Sequence, residues 1–262
     1  LMDKGSDLHN YQPTVSDIVK IQNADVLLFT GGESDAWIKD ALKSSKNKDA
    51  VLVNLMETLG ERVKIEDELF ESDECESDDE GEIEYDEHIW LSVKNAVFLV
   101  GKISGILMET AESRGLYESE KISANTAIYI EELKNLDKKF ADYYSVLYGE
   151  KVILVGDRFP FRYFCDDYGI TYFAAFPGCS AESEASFQTI VFLADKIREL
   201  KIPVVYILDN SDGKIAKSII QNSGSDVKIE KLNSLQSVTK KDIDGGATYL
   251  SLMEENFKVL AE

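Results

Sequence analysis

Only two histidines occur in this chain of 262 residues, His9 in DLHNYQP and His88 in YDEHIW. Each stands among acidic and aromatic neighbours. A neutral imidazole is a common donor to Zn²⁺ and related divalent metals. Adjacent carboxylates, Asp7 for one ring and Asp86 or Glu87 for the other, are placed to orient it. Taken singly, each histidine is as readily an ordinary polar residue, His9 in a loop before a helix and His88 at the mouth of one. As a scarce pair in matching surroundings, they point to a metal site.

Other chemistries find less support. Cys179 in GCSAESE has a nucleophile's place at a predicted helix N-terminus, but a small buried residue is the better reading. Asp209 and Asp212 follow a predicted strand, where turn and capping roles compete with a role in a cleft. GGES lacks a GxGxxG or GxxxxGK[ST] frame, and no GxSxG elbow occurs. The three cysteines, Cys75, Cys165 and Cys179, have neither disulfide-framework nor zinc spacing. An enzyme is not expected.

The elements that must position these residues alternate. Strands are predicted over 24–29, 50–55, 151–156, 171–176 and 203–208, and over DVKIEKL. Helices are predicted from Thr14, whose capping box is completed by Asp17, after GGES with Ser34 as cap, and over 92–114 and 122–148. Further helices are predicted over 158–168, 182–200, 212–222 and 247–260. In the long helix Ala127, Ile130, Leu133, Leu136 and Phe140 recur at steps of three and four. Strand–helix alternation argues parallel sheets covered by helices. Ligands of such sheets gather at the carboxyl ends of the strands, here GDRFPF, PGCSAESE, DNSDG and NSLQS.

Hydrophobic residues make up 44%, enough for a packed core, and no apolar run is long enough to span a membrane. The net charge of −21 repels phosphate backbones and attracts cations, so no nucleic-acid partner is expected. Much of the acid lies in one run over 66–87, which reads as a solvated loop and, next to a metal site, as a gatherer of cations.

The blocks DLHNYQPTVSDIVKIQNADVLLFTGGESDAW, YDEHIWLSVKNA, GDRFPFRYF, AAFPGCSAESEASFQTIVFLADKI and TYLSLMEENFKVL together resemble the metal-binding lipoproteins of ABC transporters. They look most like the zinc-type substrate-binding proteins of Gram-positive bacteria, a group with adhesin-like members. The resemblance covers almost the whole chain and implies an α/β fold of two lobes. Each lobe has mostly parallel sheets flanked by helices, and one long helix joins them. The lobes would be 1–117, with the acidic loop, and 150–262, with the linking helix over 118–149. The family's first strand and helix, which precede the DLH turn, are expected to be missing.

The resemblance makes His9 and His88 the first two metal ligands. The family's third ligand position falls on Arg158, whose guanidinium has no lone pair to offer, with Asp157 beside it. The fourth falls on Gln236, which offers a carbonyl oxygen, with Asn233 nearby. Cys179, Glu182, Asp209 or Asp157 are the strand-end groups able to complete the site, and Arg158 would alternatively pair with Glu182 or Glu184 in the cleft. The function implied is that of an extracytoplasmic solute-binding protein. It captures a divalent transition metal, zinc first and manganese or another divalent ion as alternatives, for a membrane ABC permease. The implied location is the extracellular face of the cytoplasmic membrane, through a lipid anchor not visible in this chain. The alternative is an adhesin-like surface interaction protein whose metal site is altered or lost.

Overall fold

A computed structural model describes residues 11–43, 47, 49–66, 84–178 and 185–262. The chain opens with α1 (Val15–Gln22), started by the capping box of Thr14 and Asp17. The Asp17 carboxylate takes bonds from the Thr14 hydroxyl at 2.6 Å, the Thr14 N–H at 3.0 Å and the Tyr11 hydroxyl at 2.8 Å. Those donors hold its carboxyl well below the usual range. Then come β1 (Val26–Phe29), α2 (Ala36–Lys43), β2 (Val51–Asn54) and α3 (Leu55–Leu59). β1 and β2 pair in parallel, Val26 opposite Val51 and Phe29 opposite Asn54.

Two long helices follow, α4 (Val93–Ser113) and α5 (Ser119–Val146). Of the apolar stripe on α5, Leu133, Leu136 and Phe140 are buried, whereas Ala127 is exposed. The first half of α5 runs beside α4, and its second half also meets α6 and α10 of the remaining chain.

The rest alternates as β3 (Val152–Phe159), α6 (Arg162–Tyr168), β4 (Thr171–Pro177), α7 (Phe187–Leu200), β5 (Val204–Leu208), α8 (Lys214–Ser223), β6 (Lys228–Leu232), α9 (Lys240–Asp244) and α10 (Tyr249–Ala261). The four strands form one parallel sheet in the order β4-β3-β5-β6. One face carries Leu154, Val205 and Ile207 against Leu193 and Ile197 of α7 and Ala216 and Ile219 of α8. The other carries Ile153, Val155 and Tyr206 against Phe140 of α5, Phe164 and Tyr168 of α6, and Met253 of α10. Covering both faces is what a parallel sheet of apolar strands requires. Cys165 lies wholly inside this second layer, and burial pushes its thiol up, so it packs rather than reacts.

The sequence reading started a helix at Arg158; the structure starts it at Arg162. β3 runs on because Arg158 and Phe159 pair with Phe176 and Pro177 of β4, past a break in register after Val155. Pro160 reinforces this, since the residue before a proline is held extended. Asp157 and Arg158 are therefore strand residues at the sheet's carboxyl edge.

At Gly156 the sheet touches α8 directly. A Cβ there would lie 2.6 Å from the Ala216 Cβ and 2.7 Å from its Cα. Gly156→Ala is expected to destabilise the protein by about 1–3 kcal/mol through overpacking. Urea denaturation checks this, and an unchanged midpoint would mean that α8 yields at no cost.

Candidate metal centre

The His88 segment is built from the loop before α4. Its ring is fully buried. Asp86 Oδ1 accepts both the His88 backbone N–H and the ring Nδ1–H, each at 2.8 Å. A carboxylate on Nδ1 fixes the tautomer with the proton on Nδ1 and sets the ring's orientation. Asp86 is itself held, because the Tyr163 hydroxyl donates to its carbonyl at 2.8 Å and accepts the Lys64 N–H at 2.9 Å. The Asp86 N–H returns to the Lys64 carbonyl at 2.9 Å. This pairing closes the base of the acidic run with an antiparallel bridge between Ile65 and Tyr85.

The neighbouring Glu87 turns the other way, into GGES. Its Oε1 accepts the N–H groups of Glu33 at 2.6 Å and Ser34 at 3.1 Å. The two glycines sit at φ +95° and +76°, and a Cβ on Gly32 would fall 2.4 Å from Glu87 Oε1. GGES is thus a cradle of backbone amides for a carboxylate, and the carboxylate is the protein's own. Asp35 lies buried nearby, and burial together with the Glu87 charge pushes its carboxyl up.

Against the His88 ring lies Gly178, the residue after β4. A Cβ there would come 2.7 Å from His88 Cε1 and 2.9 Å from both Nδ1 and the Phe159 carbonyl oxygen. His88 is therefore wedged against the carboxyl ends of β3 and β4. The Trp90 indole stands 5.4 Å from the imidazole, and its Nε1–H donates to the Ser234 carbonyl after β6 at 3.0 Å. Three strand ends of one sheet, those of β3, β4 and β6, thereby adjoin the histidine or its neighbour Trp90.

The other expected residues divide. His9, Cys179 and Glu182 lie outside the described residues, as does Glu184. Asp157 Oδ1 accepts the Arg158 N–H at 2.9 Å, while its Oδ2 is buried without a hydrogen-bond partner. Gln236 follows β6 with a buried, unbonded Nε2. A half-turn of that amide exchanges nitrogen for the carbonyl oxygen that a cation takes. Asp209 is occupied: its Oδ1 accepts Ser234 N–H at 2.9 Å and Ser234 Oγ at 3.0 Å, and its Oδ2 accepts the Ser237 hydroxyl. It shapes the segment that carries Gln236. Among the described residues, no three His, Cys, Asp or Glu side chains converge as a metal-holding group.

Sequence reasoning missed Tyr163, Gly178 and Trp90 as supports of the histidine. Trp90 and Gly178 stood in plain view in HIW and PGC, but nothing in the sequence says that they meet His88.

The chain has clear relatives. A family model described as "Zinc-uptake complex component A periplasmic", ZnuA, matches residues 1–262. The zinc-binding lipoprotein AdcA of Streptococcus pneumoniae is 28% identical over 263 residues, which cover 100% of this chain and 50% of that protein. This chain thus spans about half the length of that relative. The high-affinity zinc uptake system protein ZnuA of Bacillus subtilis is 27% identical, covering 100% of this chain and 79% of the relative. Among solved structures, the Zn(II)-bound ZnuA-like domain of the pneumococcal AdcA matches with a TM-score of 0.72 and 26% identity, over 100% of this chain and 90% of that one.

Proposed function

The chain belongs to the zinc-uptake complex component A (ZnuA) family, and on that premise we propose that it captures Zn²⁺ for delivery to a membrane ABC permease. The metal is cargo, and the role is capture and release without bond-making. The observation that carries the reading is His88, a buried imidazole whose Nδ1 is held by the Asp86 carboxylate, the support that metal-ligating histidines take. Asp157 Oδ2 and Gln236 Nε2 are buried without a hydrogen-bond partner, and these two side chains, together with His9, complete the set in this reading. Oxygen donors in two places would make the site harder than an imidazole-rich one and widen its tolerance toward manganese.

The net charge of −21 favours divalent cations around the whole molecule and disfavours nucleic acid. A metal carrier of this family works outside the cytoplasm. Attachment to the outer face of the cytoplasmic membrane through a lipid fits that role, and no described helix is long and apolar enough to cross a membrane.

Calorimetric titration of metal-stripped protein with zinc tests the reading. The expected result is one tight site per chain, weakened about 10–100-fold in Asp86→Asn, because the amide no longer holds the imidazole by charge. Weak binding at many sites, indifferent to Asp86, would assign the heat to the acidic run. The adhesin-like interaction role would then replace metal capture.

A further inference from the structure

The segment Asn233–Val238 carries Gln236, yet packing does not hold it on both sides. Beside it opens a cleft of about 550 Å³ lined by Asp209, Asn233, Ser237, Lys241, Asp242 and Ala247. A chain segment that faces an open cleft is packed on one side only, so its position depends more on hydrogen bonds.

Three side chains supply them. Asp209 binds Ser234 through its N–H and Oγ. Asn256 of α10 clasps Asn233 twice, accepting its N–H at 2.7 Å and donating to its carbonyl at 2.8 Å. Trp90 donates its indole N–H to the Ser234 carbonyl at 3.0 Å. The first two belong to the same lobe as the segment. Trp90 belongs to the His88 segment, two residues from the imidazole, and its own carbonyl is pinned by the Tyr249 hydroxyl at 2.8 Å. Ser234 Oγ in turn accepts the Gln236 N–H at 3.4 Å, a long bond that passes the placement on.

We propose that Trp90 is a positioning residue of the metal site: its indole N–H sets the distance between the Gln236 segment and the His88 imidazole. The inference rests on the zinc-capture reading above and deepens it. It makes affinity depend on a group that never touches the metal.

The test is Trp90→Phe in the full chain, alone and combined with Gln236→Ala. Phenylalanine keeps a ring beside the imidazole and removes the N–H. Zinc affinity is read by chelator competition, and melting temperature by calorimetry without metal. Trp90→Phe is expected to weaken zinc binding about five- to tenfold, the scale of one lost hydrogen bond. With Gln236 already removed it should add less than about a twofold loss, since the two residues act through one path. The fall in melting temperature should be the same in both backgrounds, which separates positioning from general support. Unchanged affinity in Trp90→Phe, or an equal loss in both backgrounds, overturns the proposal. Parent-like affinity in His88→Ala would instead place the metal away from His88 and remove the site on which the proposal rests.

Discussion

His88→Ala is expected to lower zinc affinity by about 10²–10³-fold, one ligand's share of the free energy of a structured zinc site. The loss should exceed that of any substitution among the groups around it, because each of them acts on the imidazole. Asp86 orients the ring, Gly178 leaves room for it and Trp90 stands beside it. Chelator competition at neutral pH measures the change. A melting curve of the metal-free variant separates lost binding from lost folding, since removing a fully buried ring also opens a cavity. Zinc should raise the melting temperature of the parent by more than that of the variant at the same concentration. Parent-like affinity would move the metal site elsewhere in the molecule.

The largest effect on stability is expected at Phe140. It is wholly buried at the centre of an aromatic cluster, 4.9 Å from Phe164 and 5.2 Å from Phe257 edge-on, and 5.4 Å from Tyr168 in a stacked arrangement. Those partners come from α6 and α10, so one ring ties α5 to two other helices. Phe140→Ala should cost about 3–5 kcal/mol, a fall of roughly 10 °C in melting temperature for a chain of this size. A cost below about 1 kcal/mol would mean that the cluster closes over the gap. Zinc affinity per folded molecule should stay near the parent value, because Phe140 touches none of the metal-site groups.

Much of this core could be read before any coordinates. The stripe Leu133, Leu136 and Phe140 follows from helical spacing, and the strands of the larger sheet follow from short apolar runs ended by Gly, Pro or Asp. Ala127 belongs to the same stripe but is exposed, because spacing reports that a face is apolar and not where a neighbouring element stops. Strand order was hidden as well. Alternation gives six strands in sequence, whereas pairing β5 with β6 is what brings Asp209 against Ser234 and Ser237. That pairing turns an apparent cleft carboxylate into the brace of another segment. The site was half legible. His88 announced itself by scarcity and context, and GGES by its glycines. That the turn accepts Glu87 depends on a contact across 54 residues, which local pattern does not encode. The unbonded oxygen of Asp157 depends on β3 running past Gly156, where the sequence alone suggested that it ended.

The wall around His88 also fixes an order of events during synthesis. Its nearest supports lie close in the chain, Asp86 two residues away, but Tyr163 reaches Asp86 across 77 residues, Trp90 reaches Ser234 across 144, and Tyr249 reaches Trp90 across 159. Contacts of such separation form late, because each must close a long loop before it returns anything. A nascent chain therefore carries a solvated imidazole until the residues through Tyr249 have been made. A chain stopped before Tyr249 lacks the most distant of these supports, the hydroxyl that holds the Trp90 carbonyl.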